Sequence, residues 1–160
     1  MDGAIYSSRV DDIEYIKFCG TVRYSHCSGL EAHIDKIFGE NEFAEIVIDL
    51  KEADILDSTA LGLMARIAIE FKKRSELQPV VFVRKGELYN ILKRVCFDQV
   101  FRLICDEPGV DSADNYQELE SVSQDEQQVL NRVIEAHRYL AQIDASNEKL
   151  FEDITQALKK

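Results

Sequence analysis

Apolar positions in this chain recur with two periods. Glu45–Leu50 (E-I-V-I-D-L) and Pro79–Val83 (P-V-V-F-V) are nearly continuous apolar runs. Such runs predict parallel strands covered on both faces. Ala4–Val10 and Ile13–Cys19 are shorter strand candidates joined by the turn-prone pair Asp11-Asp12, which predicts an antiparallel hairpin. Val100–Ile104 reads as a last short strand. Between these runs the spacing turns helical. Leu30, Ile34, Ile37 and Phe38 follow Ser28-x-x-Glu31, the spacing of a capping box, and Gly39 is placed to stop that helix. Thr59–Arg74 carries Leu61, Met64, Ile67, Ala68 and Phe71 on one face, and Gly86–Cys96 carries Leu88, Ile91, Leu92 and Val95. The order β-β-α-β-α-β-α-β predicts the α/β class: a mixed, mainly parallel sheet with packed helices.

Beyond residue 104 the pattern changes. Cys105–Glu120 is acidic, contains Pro108-Gly109, and reads as a linker. From Val122 a helical stripe of Val122, Val129, Val133, Leu140, Ile143, Leu150, Ile154 and Leu158 runs to the end, with Ser146 or Asn147 placed to interrupt it. The expected organisation is therefore a domain over 1–104, an acidic linker over 105–121 and a C-terminal helical extension over 122–160. A helix of this kind is unstable alone and must bury its stripe. It can fold back on the domain, pair with a second copy to give a weak dimer in place of a monomer, or dock on a partner.

Charge sharpens the division. Residues 1–104 hold 17 acidic and 14 basic side chains, whereas residues 105–160 hold 13 and 5. An acidic tail on a nearly neutral domain argues against nucleic acid or an anionic membrane as the direct partner and favours basic protein surfaces, or basic patches of its own domain. The basic run Lys72-Lys73-Arg74 suits the C-terminal end of a helix, where the dipole favours cations. No apolar run reaches spanning length, and the first residues have neither the basic nor the apolar region of a signal peptide, so a cytoplasmic location is expected. Cys19, Cys27, Cys96 and Cys105 show no C-x-x-C spacing and read as reduced, structural thiols.

The chemistry concentrates where the central strand meets its helix, at Asp57-Ser58-Thr59. Short side-chain oxygens there can accept from the unpaired N–H groups of the first helical turn. A hydroxyl at that place is expected at the surface, beside the positive end of the helix dipole, where a phosphate is tolerated. From the residues alone, Ser58 reads as a cap or as a modification site, with Thr59 the second hydroxyl. Leu63 reads either as a contact residue or as part of a second buried face.

An apolar strand ending in Asp49-Leu50, followed by Asp57-Ser58-Thr59-Ala60-Leu61-Gly62 opening a helix, resembles the STAS domain, and within it the bacterial anti-sigma factor antagonists. The resemblance covers about residues 4–104; Ala60 stands where many members have Gly. It implies a STAS-like fold and partner switching. Ser58 would be the serine modified by a kinase. Unmodified, the protein would bind an anti-sigma factor or a serine kinase of the switch type; phosphorylated, it would release that partner until a PP2C-type phosphatase restored it. The contact surface expected on this basis comprises Asp57, Thr59, Leu61, Gly62, Leu63 and Arg66, with Thr21, Tyr24 and Ser25 from the loop before the first helix. Phosphorylation adds about −1.5 to −2 charges beside Asp54 and Asp57, enough to end complementarity without refolding.

Other chemistries find little support. A receiver domain needs an acidic pair leading into a helix, yet Asp11-Asp12 leads into a strand. His26, His33 and His137 are scattered, so no metal site is expected, and neither phosphate-cradling glycine motif occurs, so no cofactor is expected. No nucleophile, base and orienting group can be assembled, which predicts a protein that is not an enzyme. The alternative reading is a constitutive scaffold or a ligand-binding STAS module whose C-terminal helix makes the protein contact.

Overall fold

The computed structural model describes residues 2–40, 42–106 and 115–149. Strands β1 (Ala4–Val10), β2 (Ile13–Val22), β3 (Glu45–Leu56), β4 (Val80–Val83), β5 (Arg102–Cys105) and β6 (Gln117–Glu118) form one sheet in the order β5-β4-β3-β2-β1-β6. The hairpin β1–β2 is antiparallel, and β2, β3, β4 and β5 run parallel. Helices α1 (Ser28–Glu40), α2 (Ser58–Lys72) and α3 (Glu87–Arg94) are the three crossovers, and α4 (Glu126–Ile143) follows β6. This is the expected mixed, mainly parallel α/β architecture.

The crossovers all step in one direction along the sheet. Right-handed connections therefore place α1, α2 and α3 on the same face. Ile16 and Phe18 of β2, Ile46, Ile48 and Leu50 of β3, and Val81 and Val83 of β4 are buried beneath them. The continuous apolar run of the central strand had predicted a strand covered on both faces, and Tyr15, Asp49 and Phe82 on the face away from these helices are also buried. That face also carries Lys17 and Lys51, with Lys51 lying over the Phe82 ring.

Two strands run further than their apolar runs suggest. β2 continues through Gly20 and Thr21 to Val22, with a register shift on either side of Gly20. Gly20 sits at φ 69°, a left-handed conformation that costs glycine nothing and that marks such irregularities. β3 continues past Leu50 to Leu56, and Val22 still pairs with Leu56 at the far end. A single 3-10 turn, Tyr24–His26, then leads into α1. Gly39 does not stop α1, which runs on to Glu40.

The described part of the C-terminal segment packs against the domain. Gln117 and Glu118 add β6 to the sheet edge opposite Ser7 and Tyr6. The chain then passes over the start of α1, where a β-carbon on Gly29 would collide with the backbone of Leu119 and Glu120. Ser28 and Glu31, read as a capping box, are engaged by this segment instead. The Ser28 hydroxyl accepts from the Val122 amide at 3.0 Å, and Glu31 pairs with Arg132 at 3.3 Å. α4 starts at Glu126, behind its own capping box of Asp125 and Gln128, rather than at Val122.

α4 lies along α2, in a contact far more extensive than the one between α1 and α2. Ala136 and Leu140 are fully buried there. The helix breaks at Asp144–Ala145, and Asn147, fully buried, donates to the carbonyls of Val95 and Leu140 at 2.8 and 2.9 Å. Of the three fates open to the apolar stripe, the described part takes the first, folding back on its own domain. Leu150, Ile154 and Leu158, and the Pro108-Gly109 pair, lie outside the described residues.

Candidate functional site

The long pairing of β2 with β3 delivers two chain reversals side by side. The Asp57 amide donates to the Val22 carbonyl at 3.1 Å, extending the ladder by one bond. The Asp57 carboxylate then serves both reversals. Its Oδ1 accepts from the Ala60 amide at 2.9 Å, capping α2, and its Oδ2 accepts from the Tyr24 amide at 2.7 Å, tying down the turn before α1. Asp57 is thus the N-cap, and Ser58 is the first residue of the helix proper. The cap reading of Ser58 gives way for that reason. Asp57 already accepts from the first turn, which leaves the Ser58 hydroxyl available for another contact.

That contact comes from α4. Ser58 Oγ and His137 Nε2 share a hydrogen bond of 2.8 Å across 79 positions of sequence. Ser58 is half-buried rather than displayed at the surface as expected, and His137 is buried. Burial pushes the His137 imidazole below the ordinary histidine value, with the charge of Asp57 partly opposing. His137 is therefore neutral at neutral pH, able to donate or accept towards the serine according to its tautomer.

One helical turn further along α2 stands Gly62. A β-carbon there would fall within the backbone and methyl of Ala136, so the two helices touch where neither has a bulky side chain. Another turn on, Arg66 pairs with Asp35 of α1 and lies within electrostatic reach of Tyr139 of α4. Ser58, Gly62 and Arg66 fall on one ridge of α2 because residues four apart share a helix face. This ridge is the one that α4 covers.

The expected contact residues therefore divide. Tyr24 is 49% exposed, Ser25 is exposed, and Thr21, Asp57, Ser58 and Arg66 are half-buried. Thr59, Leu61, Gly62 and Leu63 are buried. For Leu63 this selects the second buried face over surface contact. Ile55, three positions before Ser58, is 58% exposed and forms an apolar spot that periodicity did not single out. His137 was also missed: nothing in its surroundings on α4 points 79 residues upstream. Of the other histidines, His33 holds the buried Glu14 carboxylate at 2.6 Å together with Arg9, and His26 meets Asp2 at 3.1 Å. The four cysteines carry free thiols; burial pushes that of Cys27 far up, as for an inert core residue. Among the described residues no helix is long and apolar enough to cross a membrane.

Comparison with known proteins bears on the fold and the family. Among solved structures, the anti-sigma factor antagonist SpoIIAA in its unphosphorylated form superposes with a TM-score of 0.50 at 12% identity, over 81% of this chain and 96% of that one. At that identity the likeness speaks for the fold. A search of curated proteins returns no match to this sequence. The STAS domain profile matches residues 7–109, which includes β2, the Ser58 turn and α2 and stops short of β6 and α4. With well over half of its length matched, the chain belongs to the STAS domain family.

Proposed function

We propose that this protein is an anti-sigma factor antagonist that works by partner switching, with Ser58 as its switch. With Ser58 unmodified it binds an anti-sigma factor or a switch-type serine kinase; with Ser58 phosphorylated it lets that partner go, and a PP2C-type phosphatase resets it. The observation that carries this reading is the division of labour at the turn. The Asp57 side chain caps α2 through the Ala60 amide, so Ser58 is spared for another role at the positive end of a 15-residue helix within a STAS domain. Family membership and the likeness to an anti-sigma factor antagonist support it.

The partner-facing surface reachable in this conformation is the top of the β2 and β3 ends: Thr21, Tyr24, Ser25, Ile55, Asp57 and Ser58, with Arg66 at its margin. Tyr24 and Ile55 supply exposed apolar area of the kind that anchors interfaces. A phosphate among them, next to Asp54 and Asp57, would repel an acidic or closely fitted partner. The test is affinity capture from the native cells with Ser58→Ala and Ser58→Asp as baits. An anti-sigma factor or serine kinase retained by Ser58→Ala and lost from Ser58→Asp is the expected result. Equal retention by both baits would rule out a switch at this serine.

A further inference from the structure

The Ser58 hydroxyl already has a reader inside the chain. We propose that α4 is a displaceable cover on the Ser58–Gly62–Arg66 ridge of α2, held in place by unmodified Ser58 through His137, and that a phosphate on Ser58 dislodges it. This rests on the reading of Ser58 as the modified residue and adds what modification does to the rest of the molecule.

Steric fit is the first argument. Ser58 Oγ and His137 Nε2 are in direct contact at 2.8 Å. A phosphoryl group adds a phosphorus and three strongly hydrated oxygens to that same oxygen. His137 is buried, and Ala136, the residue before it, is packed against the Gly62 backbone, so α4 lies close against α2 at this point. Making room for the phosphate therefore means moving α4 off α2.

Charge points the same way. The group that would meet the phosphate is a buried, neutral imidazole rather than a waiting cation. Arg132, one turn earlier on α4, is buried and committed to Glu31 and to Gln124. Asp57 adds its own negative charge next door. On its α4 side the phosphate would thus face a buried, neutral ring, an unfavourable neighbour for a dianion.

Finally, α4 is built to come away. It is 18 residues long and amphipathic, with an apolar side that includes Ala136 and Leu140 and a charged and polar side opposite. A helix of that length is marginal by itself in water. Beside the apolar contact of Ala136 and Leu140 with the body, its attachment includes polar and close-approach points at Val122–Ser28, Arg132–Glu31, Ala136–Gly62, His137–Ser58 and Asn147–Val95. No strand of the sheet depends on it for pairing, since β6 precedes it and pairs only with β1.

The test is hydrogen exchange by mass spectrometry on the full chain, unmodified and with phosphoserine built in at position 58 during synthesis. The expected result is at least roughly tenfold faster exchange across residues 126–143 in the phosphoprotein, equivalent to about 1.4 kcal/mol of lost docking, with peptides of β3 and β4 unchanged. Ala136→Glu, which wedges the helices apart while leaving Ser58 alone, gives the reference for a released α4. In His137→Ala, where the ring no longer fills the space, the effect of the phosphate should fall below about threefold. Unchanged or slower exchange of α4 in the phosphoprotein, as when Arg132 and His137 close on the phosphate, would overturn the proposal. So would loss of protection throughout the sheet, or a full-sized effect in His137→Ala. No partner enters this measurement, so it stands apart from the capture experiment. Partner discrimination with a static α4 defeats only this inference; a released α4 without partner discrimination defeats only the switching function.

Discussion

The sheet with its three crossover helices and the segment that follows residue 115 are held by different means. In the first, Ile46, Ile48 and Leu50 of β3 and Val81 and Val83 of β4 form a continuous buried layer under α1, α2 and α3. Apolar burial of that kind is non-directional and spread over many side chains, so one added charge at its edge changes little. In the second, one amphipathic helix is fixed by a single apolar side centred on Ala136 and Leu140 together with polar, position-specific contacts. Contacts of this sort fail one at a time, and each failure matters. Stability that is concentrated in the body and rationed in the strap is what a movable cover requires.

The largest expected effect probes whether the two regions come apart separately. Leu140 is fully buried between α4 and the core, and Leu140→Ala should cost about 2–5 kcal/mol. If the comparison holds, denaturation followed by exchange shows this loss in residues 126–143 first, with the sheet retaining most of its protection. A single cooperative transition that lowers both regions equally would make α4 part of the core and break the comparison.

Asn147 is the next lever. Its amide nitrogen bonds the carbonyls of Val95 and Leu140, joining the end of the strap to the end of α3. Asn147→Ala leaves two buried acceptors unpaired and should cost about 1–3 kcal/mol, seen again as faster exchange at the end of α4. Exchange confined to the β4–β5 edge instead would mean that Asn147 braces the body rather than the strap.

The smallest effect is a dependence on pH. Burial holds the His137 imidazole below the ordinary histidine value, which is about 6.5. Between its docked value and that ordinary value, the undocked or unfolded chain binds more protons than the docked one. Docking is therefore fully supported above the ordinary value and weakens as pH falls through it. Thermal melts at about pH 7.5 and about pH 5.5 should show a larger acid loss for the wild type than for His137→Gln. An identical loss in both would show that this imidazole does not sense its surroundings.

The same comparison explains what could be read from the sequence. Apolar periodicity located the strands and the three crossover helices, and the Asp57-Ser58-Thr59 triplet located the turn, because these are local patterns. β3 was read six residues short: beyond Leu50 the chain alternates polar Lys51, Glu52 and Asp54 among apolar residues, and only pairing with β2 keeps it extended. β6 is two residues long, too short to carry any pattern. Ser28-x-x-Glu31 fitted a capping box by spacing, yet both side chains answer to partners 94 and 101 positions away. Gly62 was legible as part of a motif; that it makes room for Ala136 was not. The capping box at Asp125 and Gln128 was there to be found and would have placed the start of α4 correctly. No local rule would have found His137. A contact across 79 residues appears only once the fold has brought its two ends together.

The central claim is that the state of one hydroxyl, Ser58, decides what this protein holds. The most direct test is the equilibrium affinity of the captured partner for the unmodified chain and for the chain carrying phosphoserine at position 58, measured side by side by calorimetry. The account predicts at least about a tenfold weaker Kd for the phosphorylated form, roughly 1.4 kcal/mol or more. Equal affinities for the two forms would contradict it.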